Sequence, residues 1–313
     1  MKTEIIKINS RNPEVYKIRE AANIIINGGL VAFPTETVYG LGANVFNKNA
    51  VKKIFIAKGR PQDNPLIVHV SEMKQINSLV SEIPYNAKKL MKKFWPGPLT
   101  IIIKKSKLVP DIVTCGLDSV AIRMPKNKIA LKLIEQSKCP IAAPSANLSG
   151  KPSPTTAEHV IDDLNGKIDK IIDGGKVNIG LESTIIDLTQ NPPIILRPGK
   201  ITHKQIEKII GKVQKNKKEF IKKPKSPGMK YKHYSPNAKV IIVKKENEIK
   251  EVYKKYSDKK IKQLKYGSEI EMAKNLFKDF RDADKKCYEI IVVEEVEDKE
   301  FGCAIMDRLR KAK

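Results

Sequence analysis

Apolar positions along residues 13–211 alternate between a helical spacing and short, strand-like runs. Near the N-terminus, four apolar residues recur at the spacing of one helix face: Val15, Ile18, Ala22 and Ile25. The glycine pair at 28–29 predicts the end of this helix. Similar patterns predict helices at 49–58, 84–94, 127–137, 155–164 and 202–211. Capping-box patterns at Thr155 and Thr202 predict where the last two begin.

Short apolar runs between these helices predict strands. They lie at 30–33, 66–70, 99–103, 120–124, 140–143, 170–172, 184–188 and 193–197. Because many short strands are interleaved with helices, the pattern predicts an α/β fold class in which helices pack against a twisted mixed sheet.

The remaining chain divides into two parts. Residues 212–238 are rich in lysine and proline and show no apolar periodicity, so they are predicted to form a linker. Residues 239–313 return to alternating strand and helix patterns, with the clearest strands at 239–243 and 289–293. We therefore predict a large domain over 1–211 and a small three-layer α/β domain over 239–313, as the length of 313 residues also favours.

Composition narrows the functional classes. The formal net charge of +25, from 60 Lys and Arg against 35 Asp and Glu, favours phosphate-bearing partners, either nucleotides or RNA. The four cysteines have no Cys-x-x-Cys spacing, which argues against a structural zinc site. No apolar run is long enough to span a membrane, and the N-terminus has no apolar signal core. We expect a cytoplasmic protein.

No nucleophile or Walker motif stands out, but compact polar segments follow several predicted strands and one helix. They lie at 34–42, 58–61, 143–150, 180–184 and 196–199. Each segment alone is equally consistent with ordinary turns and caps. Together they supply hydroxyls, an amide and several cations, a composition suited to phosphoryl or nucleotidyl transfer.

The cations are the strongest candidates for ligand binding. Lys58 and Arg60, two positions apart outside regular structure, can converge on one phosphate group, and Arg197 is a third candidate. Arg123 is a fourth, although its place at the end of an apolar strand also suits a structural role. His69 alternates with apolar strand residues, so it faces either a pocket or the core.

Five motifs then share the order and spacing of a known family. They are Pro34-Thr35-Glu36-Thr37-Val38-Tyr39-Gly40-Leu41, Lys58-Gly59-Arg60-Pro61, Trp95-Pro96-Gly97-Pro98-Leu99-Thr100, Pro144-Ser145-Ala146-Asn147 and Arg197-Pro198-Gly199. Over residues 10–211 the chain resembles the YrdC-like domain family. The segments 226–236 and 304–309 resemble its two-domain members, which are L-threonylcarbamoyladenylate synthases.

The resemblance implies a nucleotidyltransferase that converts L-threonine, bicarbonate and ATP to threonylcarbamoyl-AMP and pyrophosphate, for threonylcarbamoyladenosine formation in tRNA. It implies a YrdC-like catalytic domain over 1–211 and a Rossmann-like domain over 239–313, with the 212–238 linker closing over the active site. A downstream threonylcarbamoyl transferase complex is the implied partner. Mg²⁺ is expected to enter with ATP, held mainly by phosphate oxygens rather than by protein ligands.

The resemblance also implies residue roles. The expected catalytic residues are Lys58 and Arg60. The expected nucleotide-binding set is Lys58, Arg60, Ser145, Asn147, Arg197 and Tyr231. The expected threonine-binding set is Thr35, His69, Ser183 and Arg123.

Two other interpretations remain open at this point. The charge also suits a module that binds tRNA or double-stranded RNA and has a non-catalytic nucleotide site. A different carbamoyl transfer, as in hydrogenase-maturation carbamoyltransferases, is disfavoured because this chain lacks the cysteine clusters of those proteins.

Overall fold

The computed structural model of the chain describes residues 2–215 and 233–313. Over these residues the strands are β1 Glu4–Lys7, β2 Val31–Phe33, β3 Gly40–Asn44, β4 Ile67–His69, β5 Leu99–Lys104, β6 Ser119–Arg123, β7 Ile141–Ala142, β8 Lys170–Asp173, β9 Thr184–Asp187, β10 Ile194–Arg197, β11 Gln214–Lys215, β12 Lys239–Val243, β13 Ile261–Leu264 and β14 Ile290–Glu294.

The helices are α1 Val15–Ile26, α2 Lys48–Lys58, α3 Tyr85–Phe94, α4 Asp111–Thr114, α5 Lys128–Gln136, α6 Ala157–Leu164, α7 His203–Ile210, α8 Glu246–Lys255, α9 Glu269–Lys285 and α10 Gly302–Ala312. A 3₁₀ helix spans Met73–Ser78. The predicted helices and strands are present, with bounds that differ by one or two residues. Within the described residues, no helix is both long and apolar enough to cross a membrane.

The larger domain is built on a mixed sheet. In the part of the chain that the structure describes, eleven strands follow the order β1-β8-β2-β3-β7-β4-β6-β5-β9-β10-β11. Neighbours such as β4 and β6 are parallel, whereas β5 and β6 are antiparallel. The predicted twisted mixed sheet with packed helices is confirmed.

Apolar side chains fill both faces of this sheet, because neighbouring residues of a strand point to opposite sides. Val31 and Phe33 of β2 pack with α1 and α5, whereas Ala32 faces the larger cluster that contains α2. The assignment of Val15 to the apolar face of α1 is wrong, because its side chain is 40% exposed at the start of the helix. Ala21 is buried on that helix instead.

The two predicted capping boxes have different outcomes. Thr202 accepts from the backbone N–H of Gln205, whose side chain accepts from the backbone N–H of Thr202, as predicted. At α6 the prediction is wrong, because the residue that precedes the helix is Thr156 and its side chain makes no capping hydrogen bond. The backbone N–H of Thr155 instead donates to Nδ1 of His159.

The small domain has the predicted three layers. Its parallel sheet follows the order β12-β14-β13, with α8 on one face and α9 and α10 on the other. The last strand lies in the centre, so the domain resembles a Rossmann unit in its parallel strands and helical crossovers but not in its strand order.

The predicted linker contains some packed structure at both ends. β11 lies within 212–238 and pairs parallel to β10, although no strand was predicted there. At the other end, Tyr234 is only 4% exposed and stacks on Phe277 of α9, with ring centroids 5.3 Å apart. Residues 216–232 lie outside the described part of the chain.

Candidate active site

One cavity brings together the polar segments identified along the chain. Among the residues that line it are nine predicted site residues: Thr35, Lys58, Arg60, His69, Arg123, Ser145, Asn147, Ser183 and Arg197. Tyr231, the remaining one, lies outside the described residues. Because widely separated segments supply these side chains, only the folded sheet brings them together.

Lys58 is the last residue of α2, and its side chain is buried. Its ammonium donates to the backbone carbonyls of Ser145, at 2.5 Å, and of Asn147. Burial, and to a lesser extent the nearby Arg60 charge, holds the pKa of Lys58 well below its usual value. Nζ of Lys58 therefore holds the loop over residues 145–147, and no carboxylate of the described residues lies within ion-pair distance of it.

Arg60 reaches the same cavity because α2 ends at Gly59. Gly59 has φ +58°, in the left-handed region that glycine adopts without strain, and the chain turns there. The Arg60 guanidinium donates to the carbonyls of Asn64 and Pro65, each at 3.0 Å. Burial lowers the pKa of Arg60 to about 10, so the group stays charged near neutral pH.

The loop over 145–150 follows β7 and forms another wall. Ser145 makes a backbone bridge to Gly40, which places it beside the loop that follows β2. The Asn147 amide nitrogen donates to the carbonyls of Leu148 and Lys151, at 2.7 and 2.9 Å. The buried Oδ1 of Asn147 has no partner among the described residues, so it is available to a ligand donor.

Arg197 and Ser183 form a connected pair at the ends of β10 and β9. The Arg197 guanidinium donates to the carbonyl oxygen of Ser183 at 3.0 Å and to its Oγ at 3.2 Å. The same Oγ lies 2.7 Å from Oγ1 of Thr100. The Ser183 hydroxyl is therefore fixed between a cation and a second hydroxyl.

A second polar group includes the loop after β2. Oγ1 of Thr35 donates to the carbonyl of Val38 at 2.6 Å and lies 2.9 Å from Oγ1 of Thr37. Arg123, on β6, donates to Oγ1 of Thr37 at 2.9 Å and forms a buried ion pair with Glu36 at 2.7 Å. Arg123 thus has a countercharge already, as expected for the structural role considered above.

His69 lies on β4, with Arg123 opposite it on β6 in the strand register. Burial, and then the Arg123 charge, lowers the pKa of His69 to about 3, so its imidazole is neutral at ordinary pH. Nδ1 of His69 is buried and has no hydrogen-bond partner within the described residues. The ring lines the cavity and also packs edge-on against Phe33, so both predicted alternatives describe part of its environment.

The sequence reasoning did not assign roles to Glu182, His233 and Tyr234, which also line the cavity. Glu182 accepts from the hydroxyl of Ser153 and from Nε of Arg308, the latter at 2.9 Å. Position 182 lies inside a polar segment that was noticed in the sequence, and position 308 lies in the C-terminal segment that resembles two-domain members. Their pairing across 126 residues has no local sequence signal.

The charge distribution favours an anionic ligand. Over residues 2–215 and 233–313, no carboxylate lies within ion-pair distance of Lys58, Arg60 or Arg197, whose partners are carbonyl and hydroxyl oxygens. Three buried basic side chains without a directly paired carboxylate in one cavity suit a polyphosphate. Within those same residues, no cluster of three His, Cys, Asp or Glu side chains is arranged to hold a metal ion.

Comparison with known families assigns almost the whole chain. Residues 23–199 match the family described as "Telomere recombination", whose model covers Sua5, YciO and YrdC. Residues 201–313 match the family described as "Threonylcarbamoyl-AMP synthase, C-terminal domain".

Curated relatives and solved structures agree with these matches. The threonylcarbamoyl-AMP synthase of Pyrococcus abyssi is 52% identical, over 99% of this chain and 97% of that protein. The Bacillus subtilis threonylcarbamoyl-AMP synthase is 45% identical, over 98% and 94%. The crystal structure of P. abyssi Sua5 complexed with L-threonine superposes with a TM-score of 0.96 at 50% identity, covering 99% of this chain and 97% of that one. The chain therefore belongs to the two-domain threonylcarbamoyl-AMP synthase family.

Proposed function

We propose that this chain is an L-threonylcarbamoyladenylate synthase, which converts L-threonine, bicarbonate and ATP to threonylcarbamoyl-AMP and pyrophosphate. The observation that carries the proposal is the meeting of the buried side chains of Lys58, Arg60 and Arg197 in one cavity, where none of them pairs with a carboxylate of the described residues. Such a cavity suits a triphosphate, and the neighbouring hydroxyl-rich wall suits a small polar amino acid. The high identity to named synthases over the full length supports the same assignment.

The chemistry requires no nucleophile from the protein. The threonine amine combines with bicarbonate to give a carbamate and water. A carbamate oxygen then attacks the α-phosphorus of ATP, and the bond to the β-phosphate oxygen breaks to release pyrophosphate. Because the nucleophile and the triphosphate are both anionic, the protein must align them and neutralise their repulsion.

The nucleotide is assigned to the side of the cavity formed by Lys58, Arg60, Ser145 and Asn147. The Arg60 guanidinium supplies positive charge near the phosphates, and the negative charge of the phosphates favours the protonated form of Lys58. The Asn147 amide offers an unpartnered oxygen to a donor of the nucleoside. Mg²⁺ enters with ATP as part of the substrate. Glu182, the carboxylate among the described residues that line the cavity, is already paired with Arg308, so phosphate oxygens and water are the expected ligands of the ion.

Threonine is assigned to the wall formed by Thr35, His69, Arg123 and Ser183. The fixed Ser183 hydroxyl and the neutral His69 offer hydrogen bonds to its polar groups. Arg123 contributes by holding Thr37 and Glu36, and through them the loop that contains Thr35. The product is destined for tRNA modification through a separate threonylcarbamoyl transferase.

The direct test is pyrophosphate release from ATP and Mg²⁺ with threonine and bicarbonate each omitted in turn. We expect release only when all are present, together with incorporation of labelled bicarbonate into a product of the mass of threonylcarbamoyl-AMP. Purified folded protein that releases no threonine-dependent pyrophosphate would contradict the proposal. Salt-sensitive RNA binding without turnover would instead support the alternative of an RNA-binding module.

A further inference from the structure

We propose that the C-terminal domain sets the geometry of the active site through two buried arginines, Arg281 of α9 and Arg308 of α10. Each binds a carboxylate of the catalytic domain, and that carboxylate belongs to or holds a loop of the cavity. Both are positioning residues, since they act through other residues. The inference rests on the proposed function, because it assigns the two loops to the two substrates of that reaction.

The segment 180–183 shows how closely the two domains are joined at the cavity. A Cβ added at Gly180 would lie 2.3 Å from the carbonyl oxygen of Ala273 in α9, so the segment and that helix pack backbone to backbone. Leu181 is fully buried within the apolar core of the C-terminal domain. The next two residues, Glu182 and Ser183, line the cavity. The C-terminal domain therefore fixes the chain on which the threonine-side wall is built.

Arg308 fixes the same wall at three points. Its side chain is completely buried, and its guanidinium donates to Oε2 of Glu182 at 2.9 Å and to the carbonyl of Pro198 at 3.0 Å. A longer contact of 3.5 Å reaches the carbonyl of Glu182. The residues next to these contacts, Ser183 and Arg197, bond to each other. Arg308 thus sets the spacing of the segments that present both side chains.

The surroundings of Glu182 fit this role. Burial opposes its ionisation, yet the charges of Arg308 and Arg197 and the Ser153 hydrogen bond together hold the pKa of Glu182 below its usual value. Its charge is therefore balanced mainly from the other domain. Asp307 and Tyr234 also contact the Arg308 guanidinium, which leaves it little freedom to move.

Arg281 acts on the opposite wall. Its guanidinium makes a forked ion pair with Asp163 of α6, with N–O distances of 2.7 and 3.2 Å, and donates to the carbonyl of Pro152 at 2.6 Å. Oδ2 of Asp163 also accepts from the backbone N–H of Leu148 at 3.1 Å. Leu148 directly follows Asn147 in the nucleotide-side loop. This loop is therefore held by Lys58 from one side and by Arg281 from the other.

Two matched controls are available on the same helices. Lys285 of α9 forms an ion pair with Asp162 at 2.6 Å across the same domain boundary, but both side chains are largely solvent-accessible. Arg310 of α10 pairs with Asp298 at 2.6 Å at the surface. Neither partner contacts a cavity residue in the described structure. Exposed pairs of this kind contribute little to stability.

The experiment measures KM for each substrate and kcat in the full-length variants Arg281→Gln and Arg308→Gln. We expect Arg308→Gln to raise the KM for threonine about 10- to 100-fold, and more than the KM for ATP. We expect Arg281→Gln to raise the KM for ATP more than the KM for threonine. Lys285→Gln and Arg310→Gln are expected to change neither KM more than about twofold.

A double-mutant cycle separates positioning from general destabilisation. If Arg308 acts through Glu182, the threonine KM of Arg308→Gln combined with Glu182→Gln will match that of the more affected single variant rather than the product of the two effects. If the two effects on the threonine KM multiply in the double variant, Arg308 does not act through Glu182. If folded Arg281→Gln and Arg308→Gln both keep wild-type KM values, the inference is wrong, whereas the proposed function fails only if the wild-type protein itself is inactive.

Calorimetry provides a second readout that does not need turnover. Binding of threonine and of a non-hydrolysable ATP analogue is measured for each variant, at a temperature where circular dichroism shows the variant to be folded. We expect the same substrate-specific weakening as in the KM values. Equal weakening of both ligands in both variants would overturn the inference, because it would indicate a loss of stability without positioning.

Discussion

The buried arginine Arg123 and the cations Lys58, Arg60 and Arg197 line the same cavity but differ in what balances their charge. Arg123 has a buried countercharge in Glu36, whereas the other three donate to carbonyl and hydroxyl oxygens. A paired charge is already neutralised and mainly stabilises the fold. A buried cation with only neutral partners keeps a net field, which an anionic substrate can complete.

This difference predicts which substitutions affect stability and which affect catalysis. The largest expected effect on stability is that of Arg123→Met. It leaves the carboxylate of Glu36 buried without a partner, which we expect to lower the free energy of unfolding by about 3 to 5 kcal/mol. Urea denaturation measures this loss. The control is Lys74→Met, which removes an exposed pair with Glu72 and is expected to cost less than about 1 kcal/mol.

The double variant Arg123→Met with Glu36→Gln tests whether the unpaired carboxylate causes this loss of stability. Replacing Glu36 by Gln as well removes the unpaired charge, so part of the lost stability is expected to return. If Arg123→Met is as stable as the unmodified protein, the ion pair does not have the structural role assigned to it.

Lys58→Ala is expected to have the opposite profile. Because it removes positive charge from the triphosphate side, we expect kcat for pyrophosphate release to fall by about 10²- to 10³-fold. The free energy of unfolding should change less than in Arg123→Met, since no carboxylate loses its partner. Lys52→Ala, at an exposed position of the same helix, is the control and should retain full activity. A fully active Lys58→Ala enzyme would remove Lys58 from the mechanism.

Arg197→Lys tests geometry at constant charge. Lysine keeps the positive charge but lacks the planar fork that donates to both Ser183 oxygens. We expect kcat/KM for ATP to fall about tenfold, with little change in stability. Steady-state kinetics of pyrophosphate release measure this change. An unchanged kcat/KM would mean that charge alone, without the fork, accounts for the contribution of Arg197.

The smallest expected effect is a pH dependence of stability that comes from His69. Its pKa is about 3 in the folded protein and 6.5 in the unfolded reference, so below pH 6.5 the unfolded chain binds the additional proton. We expect stability to fall with decreasing pH through this window, by about 1 kcal/mol per pH unit from this residue. Urea denaturation at pH 7, 6 and 5 measures the slope, which should be shallower in His69→Gln. Equal slopes in both proteins would contradict the assignment to His69.

The sequence predicted local structure better than it predicted details at element ends. The amphipathic pattern placed α2 and α5 within one residue of their observed bounds, because burial of one helix face follows directly from the apolar spacing. It failed at Thr155 and Val15. A cap depends on the backbone conformation at a single residue, and the exposure of the first helical turn depends on what packs beside it.

The site shows a similar division. Four of the five motifs contribute residues that line the cavity, because compact polar segments at strand and helix ends are unusual enough to be recognised; His69, Arg123 and Ser183 line it from outside these motifs. The sequence had no signal for the countercharges. Arg123 and Glu36 lie 87 positions apart, and Arg308 and Glu182 lie 126 positions apart, so their pairing is fixed by strand order and domain contact.

The sequence by itself determined the two α/β domains, the family and the candidate side chains, because these follow from short-range periodicity and from motifs of fewer than ten residues. Only the tertiary structure decided which cations pair directly with a carboxylate and that the C-terminal domain contacts both walls of the cavity. The physical reason is that burial and ion pairing are properties of distances between remote segments, and the order of residues along the chain does not encode those distances locally.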